Sequence, residues 1–216
     1  MARNRAVVSA KQQDADAGSR VAARILSVLG EVPTSNHRRS GHPAEAARKV
    51  ANTAAVNAAA AAGSLALPPG PLGWLTVLPE LVLVWKIQAQ MVADIAAFHG
   101  KKHVLTREQM LYCLFRHTAS QAVRDLVVRA GERMIVRRAT VKALNAVAQR
   151  VGATVTQRAL ARTTARWLPV VGALGVAAYA YYDTAQVAKS AIELFEQDVD
   201  VEPMASATPV SPVSEQ

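Results

Sequence analysis

The chain has 216 residues, 51% of them hydrophobic and only 5% aromatic, with one cysteine and a formal net charge of +9. That length suits a single domain with enough apolar material for a core, and its richness in Ala, Val and Leu favours helix over sheet. The lone Cys113 excludes an internal disulfide, and the opening MARNRAVVSAKQQDADAGSR lacks the apolar core of a secretory signal, so a reducing cytoplasm is the expected compartment.

Residues 1–16 are polar and aperiodic and read as a disordered basic arm preceding a helical domain over 17–197. A short helix is predicted over Ala17–Leu29, with Val21, Ile25, Val28 and Leu29 on one side and Gly30 as its stop. After the loop EVPTSNHRRSGHP, a long Ala-rich helix runs from Ala44 to Leu67, with Pro43 at its start and Pro68, Pro69 and Gly70 ending it. Small side chains make it a helix that neighbours can approach closely. The next helix runs to Phe98, either kinked at Pro79 or starting there, and completes an apolar hairpin.

Thr106 and Gln109 have the spacing of a capping box, and Met110, Leu111, Leu114, Phe115, Ala122, Leu126 and Val127 then recur at helical spacing. Gly131 and Gly152 are read as breaks between further amphipathic helices. A last helix starts near Pro169 and ends near Gln197, and residues 198–216 read as a disordered acidic tail. The expected fold is therefore all-α: a compact multi-helix bundle with an apolar hairpin and disordered termini.

Between Lys49 and Glu80 no residue is charged, which is long enough to cross a hydrocarbon layer of roughly 30 Å. Pro68, Pro69, Gly70 and Pro71 divide that run into two pieces, each too short to span alone, so a buried hairpin is favoured over an inserted one. Trp74, Trp85, Trp167, Tyr179, Tyr181 and Tyr182 flank the apolar runs, as interfacial aromatics do, although core filling explains them equally.

Within the second hairpin helix, a turn of about 100° per residue places Glu80, Lys86, Gln90 and Asp94 in one polar stripe. Gln88 falls outside it, among Leu81, Val84, Trp85, Val92 and Ile95. A buried amide costs about 1–3 kcal/mol unless it finds partners. Asn52, Asn57, Asp183 and Gln186 are available on neighbouring apolar helices, and Gln88, Asn57 and Asp183 are the expected interhelix clamp.

Charge is unevenly distributed. Residues 101–166 hold 14 Lys/Arg against 3 Asp/Glu, whereas residues 167–216 hold one Lys against 7 acids. Arg129, Arg133, Arg137, Arg138, Lys142, Arg158 and Arg162 are the expected contacts to an anionic membrane surface, each contributing about 1 kcal/mol near anionic headgroups. Nucleic acid is an improbable partner on these grounds, because few aromatics interleave the basic residues and no recognition module is visible.

His99, His103, Cys113 and His117 form two i, i+4 pairs of metal-ligand types, but Gly100 interrupts the first, and no metal site is expected. P-loop, dinucleotide, zincin and nucleophile-elbow patterns are all missing. No catalytic residue and no cofactor is expected.

The run LPELVLVWKIQAQMVADIAAFHG resembles the pattern of EcsC-like proteins and of a related helical domain fused to some bacterial GTPases. Glu80, Gln88, Ile95, Ala96 and Gly100 match it, and His99 stands where Tyr is usual. The C-terminal run LPVVGALGVAAYAYYDTAQVAKSAIELFE, with Gly172 and Gly175, resembles the family's final helix. The resemblance implies a bacterial membrane-associated domain and assigns no catalytic residue. A non-enzymatic accessory protein on the cytoplasmic side of the membrane is expected, with an anionic membrane surface and a membrane protein or transporter component as partners. A soluble protein-binding module is the alternative.

Overall fold

The computed structural model describes residues 16–28, 30, 32–65, 73–130, 133–162 and 169–202. The fold is all-α, a compact bundle of helices with a small three-stranded sheet at one end. Helix α1 covers residues 16–28 and buries Val21, Ala22, Ile25 and Val28, the side chosen by its periodicity. The predicted disorder of residues 1–15 and 203–216 lies outside the described residues.

Helix α2 (Pro43–Leu65) places Pro43 at its first position, where the missing N–H costs nothing. It turns Ala47, Ala54, Ala55, Ala58 and Ala62 inward. At Gly63 an added Cβ would lie 3.3 Å from the Ala177 Cβ, the close approach that small residues permit. Helix α3 (Gly73–Phe98) runs through Pro79 instead of starting there, completing the hairpin. It stops in a two-bond C-terminal motif, with Lys101 N donating to Ala96 O at 2.7 Å and Gly100 N to Ala97 O at 2.9 Å. Gly100 adopts φ +74° there, a conformation that favours glycine.

A 3₁₀ turn (Lys102–Val104) leads into α4 (Arg107–Phe115), whose residues from Glu108 onward are all buried. The capping box forms as its spacing predicts: Thr106 Oγ1 accepts from Gln109 N, and Gln109 Oε1 accepts from Thr106 N at 2.8 Å. The expected continuous helix beyond it does not form. The chain turns at residues 116–119, makes the short α5 (Ser120–Val123) and a 3₁₀ turn (Arg124–Leu126), and enters β1 (Val127–Ala130) and β2 (Arg133–Arg137).

These strands pair antiparallel, and β2 pairs in parallel with β3 (Asp198–Glu202). Two expectations are thereby corrected: Gly131 does not separate two helices, and residues 198–202 continue the domain rather than the tail. The physical reason is a period of two. RMIVR alternates buried positions with exposed or half-buried ones, DVDVE alternates acid with valine, and their register sets Arg133 opposite Asp198 and Arg137 opposite Glu202.

Helix α6 (Val141–Arg162) follows, tied at its entrance by the Glu108 carboxylate, which accepts from Ala139 N at 3.0 Å. Gly152 lies inside α6 and does not break it, a further correction. It is the crossing point with α1: an added Cβ would stand 2.5 Å from Gly18 O and 3.0 Å from Ala22 N. Backbone atoms cannot yield as side chains do, so Gly152→Ala is expected to destabilise the fold by about 1–3 kcal/mol although alanine is the better helix former. A raised Tm in thermal denaturation would contradict that crossing.

Helix α7 (Pro169–Glu196) closes the bundle, lying against α2 and α3. The core gathers Met91, Ile95, Met110, Leu111, Leu114, Leu194 and Phe195, with Trp85 and Phe115 edge to face at 5.4 Å. Residues Pro79–Phe98 are long and apolar enough to cross a membrane, the one such stretch among the described residues, yet most of it is packed against neighbouring helices.

Candidate functional site

Gln88 is fully buried, as its position on α3 predicts. Its Nε2 donates to Asp183 Oδ2 at 2.8 Å and to Thr184 Oγ1 at 3.1 Å. Asp183 Oδ1 in turn meets His117 Nε2 at 2.7 Å and accepts from Tyr179 Oη at 3.0 Å, while Thr118 Oγ1 lies 2.8 Å from the same His117 nitrogen. One carboxylate thus links α3, the turn after α4, and α7.

Burial pushes the Asp183 pKa up, but the hydrogen bond and charge of His117, then the bonds from Gln88 and Tyr179, outweigh it and hold the carboxyl below its ordinary range. Two buried atoms of the network, Gln88 Oε1 and His117 Nδ1, have no protein partner.

Asn57 does not join the clamp. It is exposed, because α2 buries its alanines and position 57 lies about 100° round the helix from Ala58. Thr184, Tyr179, His117 and Thr118 take the places that the sequence left unassigned. One signal for Tyr179 was legible, since it precedes Asp183 by four residues on one helix. His117 is distant in sequence and only the fold brings it in.

The polar stripe is realised in part. Gln90 Nε2 donates to Asp94 Oδ1 at 3.0 Å and Lys86 is exposed, but Glu80 is buried. Glu80 stands at the edge of the stripe, where the packing of α2 and α7 beside α3 narrows the exposed sector. It borders a cavity of about 90 Å³ whose wall also carries Trp85, Phe115, Thr118, Tyr179 and Asp183.

The predicted metal-ligand pairs do not converge. His99 Nδ1 is engaged with Ile95 O, His103 is exposed, and His117 belongs to the Asp183 network. Cys113 is fully buried, and desolvation pushes its thiol far above the usual range. The folded protein is therefore expected to resist alkylation by iodoacetamide, with modification appearing only on unfolding, as mass spectrometry would show.

The basic residues separate into two groups. Chain direction locates them: Gly63 of α2 meets Ala177, Gln88 of α3 meets Asp183, and Lys101 Nζ donates to Phe195 O at 3.0 Å. So α2 ends where α3 and α7 begin, an end we call the tip. Arg129, Arg133, Arg137, Arg138 and Lys142 are exposed at the opposite end, on or next to the sheet that follows α7. Arg116, also from the basic segment, pairs with Glu193. Arg158 and Arg162 lie on α6 beyond Val155, which borders the cavity with Ala62 and Val176, so this part of α6 heads toward the tip.

In the tip half Leu174 is 67% exposed, Tyr182 59% and Val56 51%, and Leu83 is also exposed; toward the sheet end Val141 is 71% exposed, with Val104 and Val128 exposed as well. Compared with protein-family models, curated proteins and solved structures, the chain shows no match in any of the three.

Proposed function

We propose that this is a non-enzymatic, membrane-associated accessory protein of the EcsC-like kind, acting on the cytoplasmic face by seating its tip in an anionic lipid surface. One observation carries the reading: exposed Leu174, Tyr182, Val56 and Leu83 occupy the half of the bundle toward which the Arg158 and Arg162 segment of α6 runs. Apolar side chains backed by arginines suit the boundary between acyl chains and anionic headgroups. Leu174 is five residues from the start of α7, about 8 Å at 1.5 Å per residue, which is within the depth of interfacial seating without a span.

The residues on which the resemblance rests have structural duties in this fold. Gln88 holds the interhelix network, Ile95 and Ala96 are in the core, and Gly100 makes the helix stop.

Flotation of the full chain with vesicles tests the proposal. Phosphatidylglycerol vesicles should carry the protein upward at low salt and release much of it at high salt. Equal recovery with neutral and anionic vesicles, or none with either, would remove the basis for an anionic lipid surface and leave protein binding as the use of the exposed apolar belt.

A further inference from the structure

We infer that the open groove between α2 and α7 is a binding site for a small phosphate monoester with a short apolar body, a function independent of membrane seating. The groove holds about 370 Å³, within the ~300–1,000 Å³ of small-molecule sites. It exists because alanines line it from both helices, among them Ala55 on α2 and Ala188 on α7. Both are buried, and with half-buried Ile192 they give the groove an apolar floor.

Charge selects the guest. Arg48 from α2 and Lys189 from α7 border the groove, and neither has an ion-pair or hydrogen-bond partner among the described residues. The acid of the wall, Glu193, is paired with Arg116, so its charge is already met. Asn52 adds donors. Its Oδ1 accepts from Tyr181 Oη at 3.1 Å, which leaves the Nδ2 hydrogens for a ligand. A cationic guest would meet two uncompensated cations, and a neutral apolar one would leave their donors unused. A phosphate monoester brings about two negative charges at neutral pH and three acceptor oxygens, matching Arg48 and Lys189 in number where a monocarboxylate supplies half that charge.

The groove is remote from the tip. Arg48 lies 17 positions before Leu65, about 26 Å along α2, so a tip seated in lipid leaves this groove facing the aqueous phase. A soluble ester is therefore the ligand expected.

Calorimetric titration of the full chain with butyl phosphate, inorganic phosphate and 1-butanol tests this. Butyl phosphate is expected to bind about 10-fold tighter than inorganic phosphate, the gain from burying roughly two CH₂ groups, and 1-butanol is expected not to bind measurably. Arg48→Gln with Lys189→Gln should weaken butyl phosphate at least about 10-fold. Both side chains are exposed, so the fold should survive, as circular dichroism would verify. Arg138→Gln with Lys142→Gln removes the same charge outside the groove and should change the affinity by less than about 2-fold.

Flotation with phosphatidylcholine vesicles containing phosphatidic acid separates the two sources of a phosphate monoester. Displacement of the protein by butyl phosphate assigns the groove to a lipid headgroup and overturns the soluble ligand, whereas calorimetric binding without displacement supports it. No binding of butyl phosphate, no advantage over inorganic phosphate, or equal losses in the two double variants overturns the site itself.

Discussion

Asp183→Leu is expected to lower the unfolding free energy by about 3–5 kcal/mol, the scale of breaking a buried pair by removing one partner. The substitution strands the donors of Gln88, Tyr179 and His117 in a site where water has little access. Gln88→Leu should cost less, about 1–3 kcal/mol, because it removes the unpartnered Oε1 together with the two bonds from Nε2. In a cycle of the two single variants and the double variant, the effects should be less than additive, since both remove the same bond. Urea denaturation would measure all three. Full additivity would contradict a shared network.

Protonation gives an independent check. The Asp183 pKa is lowered on folding, so the stability it contributes is fully present above the unfolded value near 3.8 and is lost as pH falls through the lower folded value. The gap in stability between the wild type and Asp183→Asn should therefore hold steady from neutral pH down to about that value and narrow below it. Narrowing at pH 6 would point to some other group.

The second large effect concerns lipid. Arg158→Glu combined with Arg162→Glu is expected to weaken binding to phosphatidylglycerol vesicles at least about 30-fold, since each basic side chain at an anionic surface contributes about 1 kcal/mol and reversal adds repulsion. Arg133→Gln with Arg137→Gln, at the opposite end and in register with acidic residues of β3, should change binding by less than about 3-fold. The contrast matters more than either number: a chain that bound through its overall positive charge would respond similarly to both pairs. Vesicle flotation at several salt concentrations distinguishes these outcomes.

Much of the helical plan was legible because its signals are local. Pro43, the Thr106 and Gln109 box and the Gly100 stop act within a few residues, and each operates as the sequence suggests. The burial of Gln88 was likewise readable, being a matter of angle around one helix. The sheet was not. RMIVR and DVDVE are each too short to outweigh a strongly helical surrounding, and their pairing joins residues more than 60 positions apart. Gly152 misled for a related reason: a glycine within a helix resembles a stop until the helix that crosses it is known.

By itself, then, the sequence determined the all-α class, the two hairpin helices and the depth of Gln88, because propensity, capping and periodicity are properties of consecutive residues, whereas the stop read at Pro68, Pro69 and Gly70 lies outside the described residues. Only the tertiary structure decided that His117 and Tyr179 would share Asp183 with Gln88, that Asn57 would face outward, and that the basic residues would divide between two ends. Those outcomes depend on which helix lies against which and in what direction, and packing, unlike propensity, is decided between residues far apart in the chain.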